Sequence, residues 1–306
     1  MDSVPANDAA KPDVGLPPVQ PPSGRFIAQL FVIPGLIIFV VVLLFIGSTM
    51  LVKHEREPNH FLAQLDSDNP DIRWRGLSDL AQILKRNEPA ALRWKADPKF
   101  ALDLTERLDA AFKKTVEEEK TIAAEIAKST EKNHDLAWRK LRDQRNYLSF
   151  LASALGEFHV PVGAPVLCTI AKYDASADLK GITLQRRKAL WALMNMGESL
   201  RGFAKMSAEQ QAAALTALKA EAAAGDTPRA GWARTALHYL DKGSDLAGVV
   251  KVDETLVVCA DADDRFLREL TAMAFSFWDG PKAEATLLKL ANDTGRGTLI
   301  RVEEND

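Results

Sequence analysis

Residues that carry chemistry are scarce in this chain of 306 residues. It has two cysteines, Cys168 and Cys259, too few for a disulfide framework, which excludes a cysteine-stapled fold. Both sit among apolar neighbours, Val166-Leu167-Cys168-Thr169-Ile170 and Val257-Val258-Cys259-Ala260. They read as buried free thiols, with one disulfide as the alternative. The five histidines, His54, His60, His134, His159 and His238, make no HExxH and no ligand pair on one helix face. Asp261-Ala262-Asp263-Asp264 lacks the glycine and closing glutamate of a calcium loop and reads as a helix cap. Gly295-Arg296-Gly297 has no strand before it and no helix after it, so it is no phosphate loop. There is no GxSxG, and Cys168 lies mid-helix in apolar company, which favours a structural role over a nucleophile paired with His159. No catalytic, cofactor-binding or metal residue is therefore assigned, no cofactor is expected, no small-molecule substrate is identified, and the chain does not read as an enzyme.

Excess charge is also missing. There are 39 Lys and Arg against 42 Asp and Glu, a net −3. The first 52 residues take only Lys11, Arg25, Asp2, Asp8 and Asp13, so the remainder is nearly neutral. A duplex-binding domain is normally strongly basic, and nucleic acid is not an expected partner. Proline is sparse after Pro58, and no strand-turn-strand rhythm appears, which leaves an all-α class.

One long run is present. Phe26–Val52 holds 27 residues without a charge, between Arg25 and Lys53. As a helix, at about 1.5 Å per residue, it would reach roughly 40 Å, more than the ~30 Å hydrocarbon core of a bilayer. Residues 25–53 are thus expected to form a single transmembrane helix, integral to the membrane. Pro34-Gly35 within it is tolerable there. The polar leader is too long and too weakly basic for a cleaved signal peptide. Residues 1–24, with six prolines, read as an extended disordered arm. Pro17-Pro18-Val19-Gln20-Pro21-Pro22 reads as linker, or as a polyproline ligand. Lys53 and Arg56, with Arg73 and Arg75 beyond, tip a near-tied flank count toward a cytoplasmic C-terminal domain.

Beyond the run the pattern is helix after helix. Residues 54–98 form a first helical segment, in which Asn69-Pro70-Asp71 is a start signal. Leu77, Leu80, Ala81 and Leu84 then fall on one stripe. Residues 99–158 hold two long helices joined at Ser129-Thr130-Glu131-Lys132. This hairpin either projects from the body or forms two oversized members of an array. Its run Glu117-Glu118-Glu119-Lys120 reads as a solvated face. Shorter helices occupy 159–293, one opened by the capping box Ser207-Ala208-Glu209-Gln210 and another by Thr227-Pro228. Asp253–Ala260 fits either a helix or a short strand, because Thr255, Val257 and Val258 in Thr255-Leu256-Val257-Val258 are β-branched. Residues 294–306 are a polar tail.

A degenerate pattern recurs: a bulky residue, an arginine, then small and apolar residues. It occurs at Trp74-Arg75-Gly76-Leu77, Arg187-Lys188-Ala189-Leu190, Trp232-Ala233-Arg234-Thr235-Ala236-Leu237 and Phe266-Leu267-Arg268-Glu269-Leu270. The last three arginines stand 47 and 34 residues apart, within the range of helical-pair repeats. On Asp71-Ile72-Arg73 with Leu77 and Leu80, and on Asp264–Arg268 with Leu270 and Met273, the chain resembles the HEAT-repeat (armadillo-like) superfamily over 60–95 and 140–293. Gly76 and Gly231 stand where that pattern has alanine, and 99–130 does not fit it.

The resemblance implies a solenoid of stacked helix pairs that binds partners along its concave surface, with no shared catalytic residues. HEAT-like DNA glycosylases use a basic surface on such a scaffold, and Arg186-Arg187-Lys188 with Arg139, Lys140 and Arg142 would be its counterpart here; the overall charge opposes that use. The expected function is therefore a membrane-anchored scaffold or adaptor for a protein partner, with Arg187, Trp191 and Trp232 on the binding surface. An enzyme subunit or hydrolase with an unrecognised site, and a structural envelope protein with the 99–158 hairpin as spacer, are the alternatives.

Overall fold

The computed structural model describes residues 23–52, 58–86, 88–126, 134–173, 182–241 and 246–292. The arm before residue 23, the Ser129–Lys132 junction, the Gly181 turn and the tail from 293 lie outside the described residues. Every regular element among the described residues is a helix, so the class is all-α. The chain divides into two compact units, 1–55 and 56–306.

In the first unit, α1 (Gly24–Val52) is one helix of 29 residues that carries Pro34 inside it. Every large apolar side chain described from Leu30 to Phe45 is exposed. No helix of the described residues is long and apolar enough to cross a membrane.

The second unit holds twelve described helices. They are α2 (Pro58–Leu65), α3 (Pro70–Leu84), α4 (Pro89–Lys95), α5 (Pro98–Ile126), α6 (His134–Leu155) and α7 (Ala164–Lys172). Then follow α8 (Ile182–Phe203), α9 (Ala208–Ala222), α10 (Pro228–Leu240), α11 (Val252–Cys259), α12 (Arg265–Ala274) and α13 (Ala283–Ala291). Local chemistry sets their starts. The Asn69 carboxamide oxygen accepts from Asp71 N at 2.9 Å, with Pro70 in the first turn. Ser207 and Gln210 bond each other's backbone N–H, a complete capping box. Thr227 and Asp264 cap α10 and α12 through Ala230 N and Leu267 N. Past the end of α9, Gly225 takes φ +97°, which side chains rarely tolerate. The ambiguous Asp253–Ala260 stretch is helical: its branched residues lie in α11, where Val252, Thr255, Leu256 and Cys259 are buried. Burial in the array outweighs the modest helix penalty of β-branching.

Consecutive helices pair as α2–α3, α5–α6, α7–α8, α9–α10 and α11–α12. The second members stand side by side in the order α3, α6, α8, α12. The first members follow α2, α5, α7, α11, and α13 adds to that end. Two layers result, with the apolar stripes facing inward. The hairpin α9–α10 leaves this order. It packs on α5 and α7, so α7–α8 meets α11–α12 directly. The long pair α5–α6 is built into both layers. Leu104, Leu108, Leu141, Leu148, Leu151 and Leu155 are all buried there.

The charge run on α5 is only partly solvated. Glu117 and Lys120 are exposed, but Glu119 is buried and pairs with buried Arg145 of α6 at 2.9 Å. Helical spacing turns successive residues of such a run by about 100°, so one of three or four must face inward. An edge-to-face series Phe61–Trp94–Phe100–Phe158, with centroids 5.5, 6.1 and 5.6 Å apart, ties α2, α4, α5 and the turn after α6. Trp278 closes the far end: its indole N–H donates to Leu193 O of α8 at 2.7 Å, and its ring meets Tyr239 edge-on.

The recurrent arginine has a structural job. Arg234 Nη1 donates to Ala222 O and Gly225 O, and Arg268 Nη1 to Ala262 O and Asp263 O. Each reaches back from a second helix to carbonyls at or just past the end of its partner, groups that the helix leaves unpaired. In the pair α7–α8 that part is played by Arg186, whose Nε donates to Ala171 O at 2.9 Å. Arg187, next to it, pairs with Asp264 instead.

Candidate functional groove

The outer faces of α3, α6, α8 and α12 enclose a groove of about 510 Å³. Leu184, Arg187, Lys188, Trp191 and Asn195 fall at i, i+3, i+4, i+7 and i+11 along α8 and put one stripe of that helix into it. From α12 come Phe266 and Leu270, from the C-cap of α3 Lys85, and from the turn after α6 Glu157. Leu184, Trp191 and Phe266 are 48, 44 and 47 % exposed, an uncovered apolar cluster in the middle of the second-helix layer. On the neighbouring stretch of α3 and α6, Trp74 and Phe150 meet edge-on at 4.7 Å.

Arg187 is not a free cation. Its guanidinium donates to Asp264 Oδ2 and lies over the Phe266 ring, 5.0 Å from the centroid. Asp264 Oδ1 meanwhile accepts from Leu267 N and caps α12. One carboxylate therefore fixes the start of α12 and clamps it to α8. Arg187 sets the shape of the groove wall, while Lys85 and Lys188 stand exposed at the rim and make no ion pair among the described residues. Glu157 on the same wall pairs with the nearly buried Lys95 at 3.6 Å. Beside that pair lies His159, whose Nδ1 is buried with no hydrogen-bond partner among the described residues. Burial first, and the Lys95 charge second, push the imidazole down to about 4.

The structure brings Arg187 and Trp191 together and separates Trp232 from them. Trp232 is 7 % exposed, in the face that α10 turns to the core. A large side chain near the start of a well-capped helix carries no label for which face it takes; Ala233, Ala236 and Leu237 are buried with it. The basic cluster is likewise dispersed. Arg186 bonds a carbonyl, Arg187 pairs with Asp264, and Lys140 pairs with Glu118 at 3.3 Å. Lys85 and Glu157 carried no sequence signal, since the groove exists only once four helix pairs are packed.

A second cavity, about 680 Å³, lies among α3, α5 and α6. Ionisable groups line it, including Arg73, Arg107, Lys114, Asp66, Asp143 and Tyr147. Arg107 donates through two nitrogens to Asp66, the closer contact being 2.5 Å. Tyr147 donates to Leu65 O at 3.4 Å, and burial, then the Asp66 charge, hold its phenol above the ordinary range. Cys168 and Cys259 are both free and buried. Burial pushes the Cys168 thiol up to about 12 and raises Cys259, so neither is a ready nucleophile. No known protein family matches the chain, and no curated protein matches it.

Proposed function

We propose that this chain is a membrane-anchored scaffold: a HEAT-like solenoid of helix pairs, held to the bilayer by α1, that binds a protein partner along the groove of its second helices. The observation that carries the reading is the ordered row α3, α6, α8, α12, with Leu184, Trp191 and Phe266 left uncovered in the middle of it. Exposed aromatic anchors in a concave, polar-rimmed patch are the features that concentrate binding energy at protein interfaces. The bare apolar face of α1 has no stabilising solvent other than lipid or another apolar surface, which supports the anchor.

The test is a paired capture from detergent-solubilised membranes with the wild-type chain and with Trp191→Ala. A partner held by the wild type and lost by about 2 kcal/mol, roughly thirtyfold in Kd, from the variant supports the reading. No reproducible partner, or equal retention by both chains, refutes it. For the anchor, the chain must stay with membranes through an alkaline carbonate wash; release refutes that part.

The cavity among α3, α5 and α6 favours one other reading, an enzyme subunit, because Asp66, Arg107, Asp143 and Tyr147 converge there. A substrate-analogue screen in which Asp143→Asn abolishes a thermal shift seen with the wild type would favour it over the scaffold.

A further inference from the structure

The sequence runs on for 14 residues past Asn292, the last one described. Within them, Leu299, Ile300 and Val302 are followed by Glu303, Glu304 and Asp306. From 298 to 306 Arg301 is the single cation, so the segment is apolar at one end and carries a net −2. The groove offers the complement: an apolar floor of Leu184, Trp191 and Phe266, with Lys85 and Lys188 exposed at its rim and without an ion pair among the described residues.

The described chain also ends in the right place. Lys289, in the last turn of α13, is bonded to Asp261, three residues before the Asp264 that clamps α12 to α8. The end of α13 therefore stands beside the loop that leads into α12, three residues from the start of the helix that walls the groove. Seven residues lead from Asn292 to Leu299, up to about 24 Å of extended chain. Crossing from α13 over α12 to α8 takes two helix spacings, roughly 16–20 Å. A segment tethered this closely meets its site at an effective concentration on the order of millimolar.

We propose that residues 298–306 of this chain dock in the groove of α3, α6, α8 and α12. Leu299, Ile300 and Val302 cover Leu184, Trp191 and Phe266, and the acidic end meets Lys85 and Lys188. The groove is then self-occupied, and any outside partner must displace the segment. This goes beyond the scaffold reading and holds whether or not an outside partner exists.

The test uses a fluorescent peptide of residues 294–306 and two forms of the protein, the full chain and the same chain ended at Asp293, both in detergent. Anisotropy should show binding to the shortened chain and binding about tenfold weaker or worse to the full chain, whose own segment competes. Lys85→Glu with Lys188→Glu, two exposed positions, should weaken peptide binding to the shortened chain about tenfold. A peptide carrying Glu303→Lys and Glu304→Lys should regain that loss on the reversed groove only. A photo-crosslinker at position 184 of the full chain should label 298–306 of the same molecule in mixed isotopic samples. No binding to the shortened chain, equal binding to both forms, indifference to the charge reversals, or cross-links only to a second copy would each overturn the proposal. Loss of an outside partner in Trp191→Ala bears on the scaffold reading alone.

Discussion

Gly197→Ala should destabilise this protein, and Gly231→Ala should stabilise it, although both glycines lie inside helices. In an exposed helix interior Gly→Ala gains about 1 kcal/mol, because alanine has the higher propensity and narrows the unfolded ensemble. At Gly231 in α10 a new Cβ would meet only the end of Arg234, 3.9 Å away, so most of that gain survives. At Gly197 in α8 the Cβ would lie 2.6 Å from Phe277 Cβ and 2.7 Å from Trp278 Nε1. Neither neighbour can swing aside. Phe277 Cβ is fixed to its own backbone, and Trp278 is buried and bonded to Leu193 O. The α8 backbone and the turn after α12 must separate by a few tenths of an ångström or more, and because no side chain can yield, the overpacking cost falls in the upper part of the usual range, about 2–3 kcal/mol. Set against the propensity gain, Gly197→Ala comes out about 1–2 kcal/mol less stable. For a unit of this size that is a fall of roughly 2–8 °C in Tm, against a rise of up to 4 °C for Gly231→Ala. Circular dichroism of the full chain in detergent, by heat and by urea, measures both. An unchanged or raised midpoint for Gly197→Ala would refute the close approach of α8 to the Phe277–Trp278 turn, and with it the α8–α12 neighbourhood that builds the groove.

Three further outcomes follow from buried groups. The folded His159 imidazole titrates near 4 against about 6.5 unfolded, so the unfolded chain binds more protons between those values. Stability is complete above about pH 6.5 and falls as the pH drops toward 4. Because the ring still reaches solvent, the loss is about 1–2 kcal/mol rather than the full linkage, and His159→Gln should flatten urea midpoints between pH 4.5 and 7; an equal slope in both proteins refutes it. Glu119→Leu removes the carboxylate that faces Arg145 across α5 and α6, and should cost about 3 kcal/mol. Glu119→Leu with Arg145→Met should cost clearly less than the single change, and a double-mutant cycle measures the difference. With both thiols buried and raised in pKa, Ellman's reagent should label neither Cys168 nor Cys259 within minutes in the native chain, and both in 6 M guanidinium.

What the sequence displayed, and what it hid, divide along the range of the interaction. Caps are local: Asn69, Ser207, Thr227 and Asp264 each bond a backbone N–H two or three residues ahead, and each was readable where it stands. Stripes are local too, which is why Leu77, Leu80 and Leu84 could be assigned inward. The recurrent arginine was visible as a period but not as a register. Arg186 and Arg187 are adjacent, and only the position of the α7 terminus decides that Arg186 takes the carbonyl and Arg187 the carboxylate. Trp191 and Trp232 looked alike for the same reason. Each is a tryptophan amid small and basic residues on a helix, yet α8 turns Trp191 out between α3 and α12 while the displaced pair α9–α10 lays Trp232 onto the core.

That displacement is the feature with the longest reach. If the five pairs stacked in chain order, α10 would stand between α8 and α12, Arg187 could not bond Asp264, and Phe266 would not face Trp191. Moving α9–α10 onto α5 and α7 brings residues 187 and 264 into one clamp. Arg229 is placed to hold the move, since it pairs with Glu221 of α9 at 3.0 Å and with Asp103 of α5 at 2.7 Å. The acids flanking it raise the guanidinium's pKa over the opposing effect of burial, so the cation stays charged at any accessible pH. A long-range ion pair anchored on α5 thus stands behind a groove built on α8 and α12. A sequence read one helix at a time has no means of anticipating that dependence.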